Sequence, residues 1–236
     1  MTIVSKTMIV SNSPVTNMSN KPGSQGPSPS RQERRFSKTR ARLLDAARSV
    51  FSEKGLDLTT IDDITRRADL GRGTFYYHFG TKSQLVNEVL KSVIDELTAQ
   101  LVAKCQGHTE LPEMLDAMIG AHVEFFSQRW QDFVLYFQGR ADLTLEQGYE
   151  GIETPFLRYI KTVEELVDST IESPIPAATI RRLACAIVGF ISGYYSFAVV
   201  TTDGDDVDRS FASLKQAFVV GLTRFIREAI PADKVS

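Results

Sequence analysis

Residues 59–82, TTIDDITRRADLGRGTFYYHFGTK, constrain this chain more than any other stretch, because they set two short helical patterns on either side of one turn. Ile61, Ile64 and Ala68 recur at the spacing that puts apolar groups on one face of a helix over 60–68. Asp69-Leu70-Gly71 breaks that pattern, and glycine accepts turn angles that other residues resist. Asp69, at a position that calls for a positive backbone angle, is one of the few side chains that tolerate it. A second helical segment, residues 72–79, then carries hydroxyl, phenol and imidazole groups. Two helices across so short a turn form a helix-turn-helix, whose second helix enters the DNA major groove. The stretch predicts a DNA reader.

Charge supports this in its distribution rather than in its total. The chain of 236 residues has a net charge of -2, yet residues 1–82 hold 14 Lys and Arg against 7 Asp and Glu. The remainder reverses the balance, 13 against 22, so a basic front precedes an acidic rear. Arg31, Arg34, Arg35 and Lys38 supply part of the excess and could equally belong to a solvated tail. Residues 1–35, rich in Ser, Asn, Pro and Gly, read as a disordered N-terminal tail. Cys105 and Cys185 lack any CxxC partner, and the three histidines show no metal-ligand spacing, so no metal or cofactor is expected. No signal-peptide pattern appears, and a cytoplasmic protein is expected.

From Lys38 onward the period is helical throughout, and the predicted class is all-α. Leu43, Ala46, Ala47, Val50 and Phe51 form one apolar stripe that Gly55 closes. Thr60 with Asp63, and Thr81 with Gln84, read as helix starts. A long helix bearing Leu85, Val89, Val93, Leu97 and Leu101 ends at Gly107. Further helices carry Leu115, Met118, Ile119, His122, Phe125 and Phe126, then Trp130, Phe133, Val134 and Phe137, then Phe156, Ile160, Val163, Val167 and Ile171. Two closing helices are expected over about 177–200 and 207–230, around an acidic turn at 202–206. The uncharged run 183–200 is near the lower limit for a membrane span of about 17 residues. Its two glycines, two serines and two tyrosines favour a buried helix, so no membrane is expected.

The residues from about 42 to 90 resemble the TetR-type transcriptional regulators, with Gly73-Thr74-Phe75-Tyr76-Tyr77-His78-Phe79 and Lys82 close to that family's recognition-helix signature. Asp69 and Gly71 depart from it, where a turn Gly and a capping Ser are common. The resemblance implies a three-helix DNA-binding domain over 36–82, a larger helical effector-binding and dimerisation domain over 83–230, and a short C-terminal tail at 231–236. It implies DNA contacts at Thr60, Arg72, Gly73, Thr74, Tyr76, Tyr77, His78 and Lys82. Arg can pair with guanine, Thr can meet the thymine methyl, and Gly lets backbone approach closely. Phe75 and Phe79 are expected in the core.

A palindromic double-stranded operator requires a homodimer, because one such module spans few base pairs. The resemblance places that interface on the last two helices, at Ile187, Phe190, Tyr194, Phe197, Phe211, Leu214, Phe218 and Leu222. A small apolar effector would sit among Met118, His122, Phe126, Trp130, Phe137, Arg158 and Tyr159, with Met114, Phe125, Phe133 and Tyr149 nearby. The same aromatic residues could be ordinary core. The implied activity is a repressor released from its operator by that ligand. The alternative keeps DNA binding and gives the rear domain to protein–protein interaction. No G-x-S-x-G, phosphate-cradling loop or recognisable carboxylate pair marks an enzyme.

Overall fold

The computed structural model describes residues 30–142, 151–171, 175–201 and 204–229, without the side chains of residues 142, 198–213 and 229. The expected tails before Ser30 and after Ala229, together with Tyr149 and the Phe211 side chain, lie outside the described residues. Among the described residues nine helices form: α1 Arg31–Lys54, α2 Ile61–Arg67, α3 Arg72–Phe79, α4 Lys82–Cys105, α5 Leu111–Gln128, α6 Trp130–Asp142, α7 Glu153–Asp168, α8 Ala177–Thr201 and α9 Gly204–Ala229. Among the described residues there is no strand.

Helix α1 begins seven residues before the expected Lys38, so residues 31–35, assigned to the tail, are helical. Ser30 and Glu33 cause the early start. The Glu33 N–H donates to Ser30 Oγ at 3.2 Å and the Ser30 N–H donates to Glu33 Oε2 at 2.6 Å, a reciprocal cap. The expected stripe from Leu43 to Phe51 is buried in full. The helix stops where Gly55 turns to φ 86° and returns its N–H to the Phe51 carbonyl.

Helices α2 and α3 are too short to persist alone, and a shared core holds them. Leu43, Ala47, Phe51, Ile64, Phe75 and Phe79 are all buried together with Leu85 of α4. Asp69 makes the turn between α2 and α3 at φ 51°, as its position requires. Helix α4 runs from this small core into the larger one, burying Leu85, Val89, Val93, Leu97 and Leu101 in succession. It contacts α1 and α3 at one end and α5, α6 and α7 beyond. Helix α6 sits close on α4 because residue 139 is glycine; a Cβ there would come within 2.8 Å of Leu90 Cδ2.

Helix α9 begins at Gly204, so the expected acidic turn is in part its first residues. Helix α7 ends at Asp168, leaving Ile171 beyond it. Among the described residues no helix is long and apolar enough to cross a membrane, and no group of three potential metal ligands occurs.

Candidate nucleic-acid interface

The outward face of α3 presents Tyr77, 73% exposed, and Tyr76, 52% exposed, beside exposed Arg72 and Gly73. Phe75 and Phe79, at 0% and 3%, anchor the opposite face in the three-helix core. A Cβ on Gly73 would meet nothing within 4 Å, so no atom of this chain occupies the space in front of it. Thr74 is half-buried and donates its backbone N–H to the Gly71 carbonyl at 3.0 Å. Gly71 caps α3 without a side-chain hydrogen bond, which leaves the helix start open.

The remaining expected contacts are engaged within the chain. Arg72 Nε pairs with Asp62 Oδ1 at 2.5 Å, so α2 supplies the acid that positions this guanidinium. Thr60 caps α2: its Oγ accepts from the Asp63 N–H at 3.2 Å and donates to Asp63 Oδ2 at 2.8 Å. Lys54, at 2.7 Å, and then Thr60 hold the Asp63 carboxyl far below the usual carboxylate range. Lys82 donates to the Asp57 carbonyl at 3.2 Å, and burial lowers its pKa. His78 is half-buried and packs against Phe36, with ring centroids 4.3 Å apart. Burial, and then Arg40, lowers its pKa.

Sequence reasoning missed the neighbour of this face. The first turns of α1 lie beside α3, and Phe36 meets Tyr77 edge-on at 5.8 Å. Between the two helices runs a groove of about 1080 Å³, lined from α1 by Arg31, Gln32, Arg35 and Thr39 and from α3 by Thr74 and Tyr77, among others. The Ser30-x-x-Glu33 cap was the readable signal that α1 reaches this far.

In the larger domain the expected pocket residues divide. Met118, His122, Phe126 and Tyr159 come together, but as packed core at 0–1% exposure. Trp130 and Phe137 are exposed, and Arg158 is an exposed side chain 3.4 Å from Asp95, so these three do not line that centre. His122 Nδ1 lies 2.6 Å from the Met118 carbonyl. A carbonyl only accepts, so Nδ1 carries the proton and Nε2 accepts from the Tyr159 hydroxyl. Tyr159 joins Tyr136, Tyr136 joins Arg140, and Arg140 donates to Ser192. A chain of polar groups thus crosses an aromatic core. Burial drops the His122 pKa to about 4 and raises Tyr136 to about 12.

On α8 the chain's own core takes Leu183, Ala184, Ile187, Val188 and Ile191. Ile187, at 0% exposure, is therefore not available as an interface residue. Phe197 and Leu214 are exposed, and Phe190 stacks on Phe218 with centroids 4.0 Å apart; Tyr194 and Leu222 are half-buried. Val220 and Phe225 are also exposed, and Cβ atoms on Gly189, Gly193 and Gly221 would meet nothing within 4 Å.

The fold and this face define a helix-turn-helix protein with a larger all-helical domain. The sequence profile of the bacterial regulatory proteins of the tetR family matches residues 43–89. The chain is 33% identical over 128 residues to the HTH-type transcriptional regulator TtgW of Pseudomonas putida, covering 52% of this chain and 92% of TtgW. It is 30% identical over 115 residues to the HTH-type transcriptional repressor KstR2 of Mycolicibacterium smegmatis, covering 49% of this chain and 56% of that one. The solved structure of the ketosteroid transcriptional regulator KstR2 of Mycobacterium tuberculosis superposes with a TM-score of 0.56 at 21% identity, over 75% of this chain and 93% of that one. The chain belongs to the TetR family. It spans between 56% and 66% of the length of several other curated relatives that it matches.

Proposed function

We propose that this protein is a sequence-specific DNA-binding transcriptional regulator, a repressor that a small apolar ligand releases from its operator. The observation that carries the reading is the outward face of α3. Arg72, Thr74, Tyr76 and Tyr77 surround a glycine with open space in front of it, while Phe75 and Phe79 fix the helix from behind. Tyrosine and threonine hydroxyls can bond base edges or phosphates, and Arg72 can exchange Asp62 for a guanine edge.

Two such faces are needed to read half-sites about 34 to 36 Å apart. The exposed Phe197, Leu214, Val220 and Phe225, with three open glycines, suit close packing of α8 and α9 on a second copy. The ligand-responsive part rests on the polar chain from His122 to Ser192, whose groups bond one another in a packed aromatic core that a ligand would have to open. A ligand there releases DNA only if it binds the two conformations with different affinity.

Fluorescence anisotropy against DNA from the gene's own upstream region, with random competitor, tests the reading. Specific DNA should win by about a thousandfold or more. Arg72→Ala and Tyr77→Ala should each keep the fold and relax discrimination by about 1–3 kcal/mol. An unchanged preference in both variants would sink the assignment of α3.

A further inference from the structure

Most arginines of the three-helix region already have partners. Arg40 pairs with Glu88, Arg67 with Glu53 and Arg72 with Asp62, while Arg42 donates to the Ala68 carbonyl. Arg31 and Arg35 differ. They lie one turn apart on α1, are exposed, and pair with no carboxylate among the described residues. Both line the groove between α1 and α3.

Gln32, Ser37, Thr39, Thr74 and Tyr77, which also line that groove, each carry an N–H or O–H that can donate to an anion. Its acid, Glu33, is occupied by the backbone and side chain of Ser30, which lower its pKa. Phe36 holds the two walls in register, with its ring 5.8 Å from Tyr77 and 4.3 Å from His78. A solvated basic tail would need none of this: the reciprocal cap, the aromatic contact and the shared groove all fix the cations beside the recognition helix.

We infer that the α1–α3 groove is a second DNA contact, which grips the phosphodiester strand bordering the major groove that α3 enters, with Arg31 and Arg35 as its cationic ligands. This rests on the DNA-binding reading above. Phosphate contacts fix register and carry no sequence information, whereas α3 reads the bases. The groove therefore sets affinity and salt dependence, and Tyr77 takes part in both because it stands on the shared wall.

The test compares wild type, Arg31→Ala/Arg35→Ala and Tyr77→Ala by anisotropy on operator and random duplexes from about 50 to 200 mM salt. Each phosphate contact contributes a slope of about -0.9 in log affinity against log salt. The double variant should lose about 1.8 of that slope and weaken both duplexes by a similar factor, about tenfold or more. Both arginines are exposed, and circular dichroism should show an unchanged fold. Phe36→Ala should reproduce part of the loss without changing the charge. A double variant with wild-type slope and affinity would overturn the groove while leaving α3 as the reader. A folded wild type that binds neither duplex at low salt would overturn both.

Discussion

His122 donates through Nδ1 to the Met118 carbonyl and accepts at Nε2 from Tyr159, so a second ring proton would reverse that bond and make the Tyr159 oxygen the acceptor. Burial is the main reason its pKa falls to about 4 from an ordinary value of 6.5. Between those values the unfolded chain binds the extra proton and the folded chain does not. The contribution to stability is therefore complete above pH 6.5 and is lost as pH falls toward 4. The loss should reach about 2 kcal/mol by pH 5. Urea denaturation at pH 7.5 and pH 5 measures it. His122→Gln should remove that part of the pH dependence while lowering stability at pH 7.5. If variant and wild type lose equal stability between the two pH values, proton uptake at His122 is not the cause.

Helices α6 and α8 show where sequence pattern stops determining which face is buried. The α1 stripe alternates apolar and charged positions, so its buried face, its Gly55 stop and the Thr60 and Thr81 caps were all legible. Helix α6 is aromatic on several sides, and neighbours decide the outcome: Phe133, Leu135 and Tyr136 are buried while Trp130 and Phe137 are exposed. Helix α8 is uncharged from Leu183 onward, so no polar face orients it, and Ile187 falls inward rather than toward a partner. The start of α1 was written in Ser30 and Glu33, but the Pro- and Ser-rich residues before them masked it. On the outward face of α3, residue types and positions were legible, whereas Arg72's pairing with Asp62 depends on how α2 and α3 cross.

Close contact at α6 gives a test of the same point. Gly139→Ala would bring a Cβ within 2.8 Å and 3.0 Å of the two Leu90 methyl carbons, and Leu90 is fully buried. Overpacking of this kind costs about 1–3 kcal/mol, against a helix-propensity gain of up to about 1 kcal/mol. The variant should melt several degrees below wild type. A melting temperature at or above the wild-type value would mean that Leu90 yields without strain.

At the scale of the whole molecule, one charge network ties the three-helix region to the larger helical domain. Arg48 of α1 reaches Glu96 of α4 at 3.3 Å and Asp132 of α6 at 3.4 Å, while Arg129 Nε closes on Asp132 at 2.6 Å and the same guanidinium meets Glu96. Asp132 is 3% exposed, and burial raises its pKa despite both arginines. A shift of α6 that separated Asp132 from Arg48 would leave a buried carboxylate short of a partner, so α6 and α1 are expected to move together. Such a link can carry a change in the aromatic core to α3, because α1 also holds α3 through Phe36. A double-mutant cycle of Arg48→Met and Asp132→Asn measures it by denaturant unfolding. Each single variant should destabilise, and the pair should do so by about 1–3 kcal/mol less than the sum. Additivity within about 0.5 kcal/mol would leave apolar packing alone to join the two domains.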